Sequence, residues 1–142
     1  SRLKKMAKNI AVDGQPLISD TAFSAKIAEA EIELRALGIT EQRFLFQPGG
    51  ADALGAEASM LKVRGTEIQQ RIYELMVEAL GYEACIALSS DKYDTAAARM
   101  PADMYGGAAH MTRAYFNFRK TSIYSGSNEI QKGIIAKAVL GL

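Results

Sequence analysis

The sequence predicts an all-α fold, an antiparallel (up-and-down) four-helix bundle, on three observations. Two long segments repeat apolar residues at three- and four-residue steps. Prolines number only three and alternating β-branched runs are few, so strands are not expected. The connections between periodic segments are short, which makes sequential helices antiparallel neighbours. At 142 residues the chain reads as one domain, long enough to bury roughly two thirds of its unfolded surface.

Residues 1–9 read as the tail of a basic helix, with Leu3 and Met6 as a short apolar edge. The stretch from Val12 to Asp20, carrying Gly14 and Pro16, reads as a connector. A long periodic segment then runs over about residues 21–47, where Phe23, Ile27, Ala30, Leu34 and Leu37 make the stripe. Gly38 and Thr40 can disturb its far end, although Phe44, Leu45 and Phe46 keep that end apolar. Gln47–Asp52 is a loop by composition. A second long segment covers about residues 55–80, its stripe formed by Leu61, Ile68, Ile72, Leu75, Met76 and Ala79, with Glu67, Gln70 and Arg71 beside it. Residues 81–105 are the least regular, marked by Gly81, Ser89–Asp91 and Pro101. Helices over about 106–119 and about 128–140 complete the set. The chain opens without methionine and inside a helical pattern, as expected of a piece of a larger protein.

Composition excludes more than it selects. Seventeen basic and sixteen acidic residues leave a net charge of +1, so no nucleic-acid partner is expected. No apolar run approaches the ~18–20 residues that span a bilayer, so no membrane partner is expected either. Cys85 is the only cysteine and has no internal disulfide partner, which suits a reducing compartment. A nucleophilic pair with His110, the only histidine, would need the two side chains adjacent, and nothing in the sequence brings them together. No clustered ligand spacing exists for a metal. Gly49-Gly50 and Gly106-Gly107 lack the spacing of a phosphate-cradling fingerprint and read as plain loops or helix starts. Glu29, Glu31 and Glu33 stand two apart on a helix, do not face one another, and read as a solvated face.

The end of the chain is more informative. Tyr124-Ser-Gly-Ser-Asn-Glu-Ile-Gln-Lys132 joins a polar, glycine-containing turn to an amphipathic helix, whose apolar stripe can lock the turn against a larger body. Asn128 with Gln131 can form a capping pair, and Ser127 is an alternative cap. Glu129 in the first turn suits the helix dipole. Hydroxyls, backbone N–H groups and a helix N-terminus together suit an anionic ligand.

This segment, continued by Ile134-Ile-Ala-Lys-Ala-Val-Leu-Gly-Leu142, resembles the C-terminal signature of the acyl-CoA dehydrogenase family. Ile27–Leu37, Ala56–Arg64 continuing to Gln69-Gln70, and Tyr115–Tyr124 are similar to family members as well. The resemblance implies residues 1–142 as the C-terminal helical domain of a larger flavoenzyme whose N-terminal helical and central β domains lie outside this chain. It implies FAD as cofactor, an acyl-CoA substrate oxidised to a trans-2-enoyl-CoA, and an electron-transferring flavoprotein as acceptor. It also implies a homotetramer or heterotetramer, in the bacterial cytoplasm or the mitochondrial matrix. By the same resemblance, Ser127, Asn128 and Glu129 contact the cofactor, and Tyr124, Ser125 and Gly126 line the thioester end of the substrate pocket.

Two departures matter. Many members carry the α-proton base where this chain has Ser125, whose hydroxyl has too high a pKa for that work near neutral pH. The base is therefore expected upstream of Ser1. A flavin-touching Gln-x-x-Gly-Gly motif of many relatives stands here as Glu78-Ala-Leu-Gly-Tyr82, which replaces amide donors by a charge. A non-catalytic subunit of a heteromeric dehydrogenase, or a non-enzymatic oligomerisation module, are the other readings.

Overall fold

The computed structural model describes residues 1–48, 55–85 and 108–141. Gly49-Gly50, Gly106-Gly107, most of the irregular stretch after Cys85 and the side chain of His110 lie outside the described residues. The fold is all-α, with helices α1 (Arg2–Asn9), α2 (Thr21–Leu45), α3 (Ala56–Leu80), α4 (Ala108–Phe118) and α5 (Asn128–Leu140).

Helix boundaries follow local chemistry. Ser1 caps α1, its hydroxyl accepting from the Lys4 N–H. The stretch expected to be a plain connector contains a small hairpin. Strands β1 (Ala11–Val12) and β2 (Gln15–Pro16) pair antiparallel, with Ala11 opposite Pro16 and Val12 opposite Gln15. Asp13 and Gly14 turn it with φ of 50° and 77°, the positive angles that an Asp-Gly hairpin turn supplies. One 3₁₀ turn (Leu17–Ser19) leads to Asp20, whose Oδ1 accepts from the Phe23 N–H at 2.6 Å and starts α2. α2 runs through Gly38 without a break. α3 ends where Gly81 takes a φ of 54°, and α5 ends at Gly141 in the left-handed conformation.

α3 is the common neighbour: α1, α2, α4 and α5 all pack on it. Leu3 and Ala7 of α1, Phe23, Ile27 and Ala30 of α2, Leu75, Met76, Ala79 and Leu80 of α3, Ala84 and Met111 form one core, with Leu75 and Met111 fully enclosed. Tyr73 stacks on Phe118 at 4.7 Å and ties α4 to the middle of α3. The α2 stripe is buried at Phe23, Ile27 and Ala30 but opens at Leu34. Gly65 lets α2 come close, with Leu37 Cδ2 standing 3.7 Å from where a Cβ would be.

The acidic residues of α2 do not gather, as expected from their spacing. Glu31 accepts from Lys4 and Arg35, and Glu33 pairs with Arg64 of α3. The Lys4 ammonium, hydrogen-bonded to it, holds the Glu31 carboxyl below its ordinary range against the opposing effect of burial, and Arg35 adds a lesser attraction. Cys85 is exposed. Among the described residues no cluster of metal-ligating side chains exists, and no helix is long and apolar enough to cross a membrane.

The terminal helix carries apolar residues on more than one side. Asn128, Gln131, Ile135 and Ala136 sit partly or wholly covered, whereas Ile130, Ile134, Val139 and Leu140 stand open. Since α5 is apolar on more than one side, periodicity could not choose its packed face; among the described residues nothing covers the open one.

Candidate functional site

The site grows from a chain reversal between α4 and α5. After Phe118 the helix tightens into one 3₁₀ turn (Arg119–Ser122), and the N–H groups of Ile123 and Tyr124 both donate to the Lys120 carbonyl. The next two residues are left-handed in succession, Ser125 at φ 58° and Gly126 at φ 83°. Glycine accepts that conformation freely; serine does so at a cost of about 1–2 kcal/mol. Ser127 returns to extended backbone and becomes the N-cap of α5, its Oγ accepting from the Ile130 N–H at 3.4 Å.

Of the two capping arrangements open to the sequence, the structure therefore uses Ser127. Gln131 is not a capping partner of Asn128; its amide reaches back over the turn and donates to the Ser125 carbonyl at 3.1 Å. A Cβ on Gly126 would stand 2.5 Å from that amide nitrogen, so the close approach of Gln131 uses the missing side chain.

Beneath the turn lies a polar network that the sequence did not announce. Lys62 of α3 donates to the Gly126 carbonyl and to Asn128 Oδ1, both at 2.8 Å. Asn128 Nδ2 donates to Thr66 Oγ1 at 3.2 Å, and Thr66 donates to the Val63 carbonyl at 2.9 Å. Asn128 is only 7% exposed, and its side chain is given over to Lys62 and Thr66 of α3. The available signal was a polar pair, Lys62 and Thr66, four apart on one face of α3.

All six residues singled out in the sequence thus fall in one turn. Tyr124 (48% exposed), Ser125 and Glu129 lie open, and Gly126 and Ser127 are half-buried. The Glu129 carboxylate folds over the helix start. Its own backbone N–H, and then the Ser127 hydroxyl, hold it below its ordinary range against the opposing effect of burial; Lys132 and Lys62 add lesser attraction. The arrangement can do two things: present N–H groups and a hydroxyl to a polar or anionic ligand group, and hold a bent backbone against an acyl carbonyl.

Glu78 sits at the opposite end of α3, where its carboxylate pairs with Lys26 of α2. A cleft of about 360 Å³ opens there, walled by Ala11, Val12 and Leu17 and edged by Glu78, Tyr82 and Glu83. Two carboxyl groups at a helix C-terminus repel an anion. Of these two places, the α5 turn is the one that presents a helix N-terminus, the end that favours an anionic group.

A family model described as "Acyl-CoA dehydrogenase, C-terminal domain" matches residues 1–140. The fold is similar to a chain in the crystal structure of the ChsE4-ChsE5 complex from Mycobacterium tuberculosis, with a TM-score of 0.71 and 23% identity over 99% of this chain. This chain spans about a third of the length of that one (33%). None of the curated proteins compared matches. The match over nearly every residue, with the bent turn and capped terminal helix where the sequence signature placed them, carries one conclusion: the chain belongs to the acyl-CoA dehydrogenase family, as its C-terminal helical domain.

Proposed function

We propose that the chain is the C-terminal bundle domain of an FAD-dependent enzyme that converts an acyl-CoA thioester to a trans-2-enoyl-CoA. The observation that carries this reading is the turn from Tyr124 to Glu129, bent by two left-handed residues and fixed to α3. Ser127, with the backbone N–H groups of Asn128 and Glu129 at the head of α5, would hold the cofactor; Tyr124, Ser125 and Gly126 would border the thioester. FAD, when bound, supplies the acceptor for the hydride leaving Cβ. The α5 N-terminus provides a positive field toward that group. Supply of the N–H groups is inherent in a helix start, because no preceding turn offers them a carbonyl.

The proton from Cα needs a base, and neither candidate within the turn suits the task. Ser125 is a hydroxyl. Glu129 is engaged by its own N–H and by Ser127, which depress its pKa and weaken it as a proton acceptor. The base is therefore assigned to the segment upstream of Ser1.

Apolar side chains left open on α2 and α5 support an assembled enzyme, a homotetramer or heterotetramer, with an electron-transferring flavoprotein as acceptor. The domain alone would be inactive and hold flavin weakly. A second reading, the non-catalytic subunit of a heteromeric dehydrogenase, is favoured by Ser125 and by the engagement of Glu78 with Lys26. The purified full-length protein decides. Bound flavin that bleaches when acyl-CoA is added without oxygen supports the first reading. Bleaching only when a partner subunit is co-purified supports the second. Absence of flavin in both preparations sinks both.

A further inference from the structure

We infer that Lys62 is the positioning residue of the ligand-facing turn. The inference rests on the flavin-side assignment of that turn only for its functional consequence, since the bracing itself stands on the geometry. Two consecutive left-handed residues, one of them serine, form a backbone that an isolated loop would relax. Something must hold the carbonyl of Gly126 where it is. The Lys62 ammonium does so at 2.8 Å and grips Asn128 Oδ1, the first side chain of α5, at the same distance. One cation thus clamps the last residue of the bend and the first residue of the helix. Asn128 passes the restraint through Nδ2 to Thr66, whose hydroxyl is anchored on its own helix at the Val63 carbonyl. The chain of bonds is complete: among the described residues no buried side-chain nitrogen or oxygen lacks a partner. A point charge on a flexible stem suits this work, because it satisfies a carbonyl and an amide oxygen that diverge. Its charge also attracts the Glu129 carboxylate in the first turn of α5, and so adds to the positive end of that helix.

Mere stabilisation of the fold predicts something else from positioning. The remaining contacts of α5 on α3 do not involve Lys62, so its removal frees the turn without freeing the helix. The test uses the full-length protein with Lys62→Met, Lys62→Arg and Thr66→Val, the last keeping its shape. In FAD-free protein, amide exchange over residues 123–131 should quicken roughly tenfold in Lys62→Met, the scale of losing charge-assisted hydrogen bonds. Exchange over 133–141 should stay as in the wild type. The FAD dissociation constant should rise about tenfold in Lys62→Met, about threefold in Thr66→Val, and return toward wild type in Lys62→Arg. Unchanged exchange over the turn in both Lys62→Met and Thr66→Val overturns the inference whether or not flavin binds. Faster exchange spread equally over 133–141, with no rescue by arginine, also overturns it, making Lys62 a structural prop. If Lys62→Met does not fold, Thr66→Val carries both measurements. Wild-type protein that binds no FAD, with the turn still loosened by the variants, would remove the proposed function and leave the bracing intact.

Discussion

At the scale of single residues, the turn separates groups that shape the backbone from groups proposed to meet a ligand. Ser125 belongs to the first kind. Its φ of 58° and its carbonyl, held by Gln131, matter to the bend, whereas its hydroxyl has no proton-accepting role at neutral pH. Ser125→Ala in the full-length protein should therefore leave turnover within about threefold of wild type, well short of the 10²–10⁴ that loss of a base costs. A larger fall in turnover would show that the hydroxyl takes part in proton transfer. Ser127 caps α5 and is the hydroxyl proposed to meet the ligand. Ser127→Ala should cost about 1 kcal/mol of stability and let the Glu129 pKa rise toward its ordinary value, because one of the groups holding it down is gone. The sign for pH follows. Glu129 has a depressed folded pKa, so its contribution is complete above the ordinary carboxylate range and fades as pH falls through the folded value. The gap between the unfolding temperatures of wild type and Ser127→Ala should narrow at acid pH as Glu129 protonates, without closing, because the cap on the Ile130 N–H is still missing in the variant. A gap that widens toward low pH would contradict the assignment.

At the scale of elements, the long helices were legible because their signals are local. The segments expected over 21–47, 55–80 and 128–140 are Thr21–Leu45, Ala56–Leu80 and Asn128–Leu140. Asp20, Gly81, Ser127 and Gly141 mark the ends with caps or left-handed stops. The hairpin was not legible as such: two-residue strands are too short for alternation to show, and Asp13-Gly14 alone also fits a connector. The bracing of the turn was hidden for another reason. Lys62 and Asn128 are 66 positions apart, and pairing across that distance depends on how α5 lies on α3, which sequence periodicity does not state. Gly38 shows the opposite case, a local signal too weak to end a long helix. α2 continues through it, and a Cβ added there would meet nothing within 4 Å. Gly38→Ala should stabilise α2 by about 0.5–1 kcal/mol, read as a raised melting temperature of the full-length protein. A lowered one would mean that another part of the enzyme packs against this glycine.

At the scale of the molecule, α2 is apolar on two opposite faces. Phe23, Ile27 and Ala30 enter the core, while Ile32, Ile39 and Phe46, seven residues apart, form a stripe on the other side with exposures of 67%, 60% and 86%. A helix of this kind is built to lie between two layers, and the described residues supply only one. α5 repeats the pattern, with Asn128, Gln131 and Ile135 against α3 and Ile130 and Ile134 turned away. Domains of the same chain or further subunits can cover such faces, and the two origins respond differently to charge. Ile32→Lys with Ile39→Lys touches nothing in the core of this domain, so the domain should keep its helical signal and its unfolding midpoint. If other subunits cover α2, the doubly substituted full-length protein should sediment as a smaller species than wild type, because two unpaired ammonium groups cannot be buried in an apolar contact. An assembly of unchanged size with a lowered melting temperature would mean instead that another part of the same chain lies on α2, and the subunit contact would have to be sought on α5.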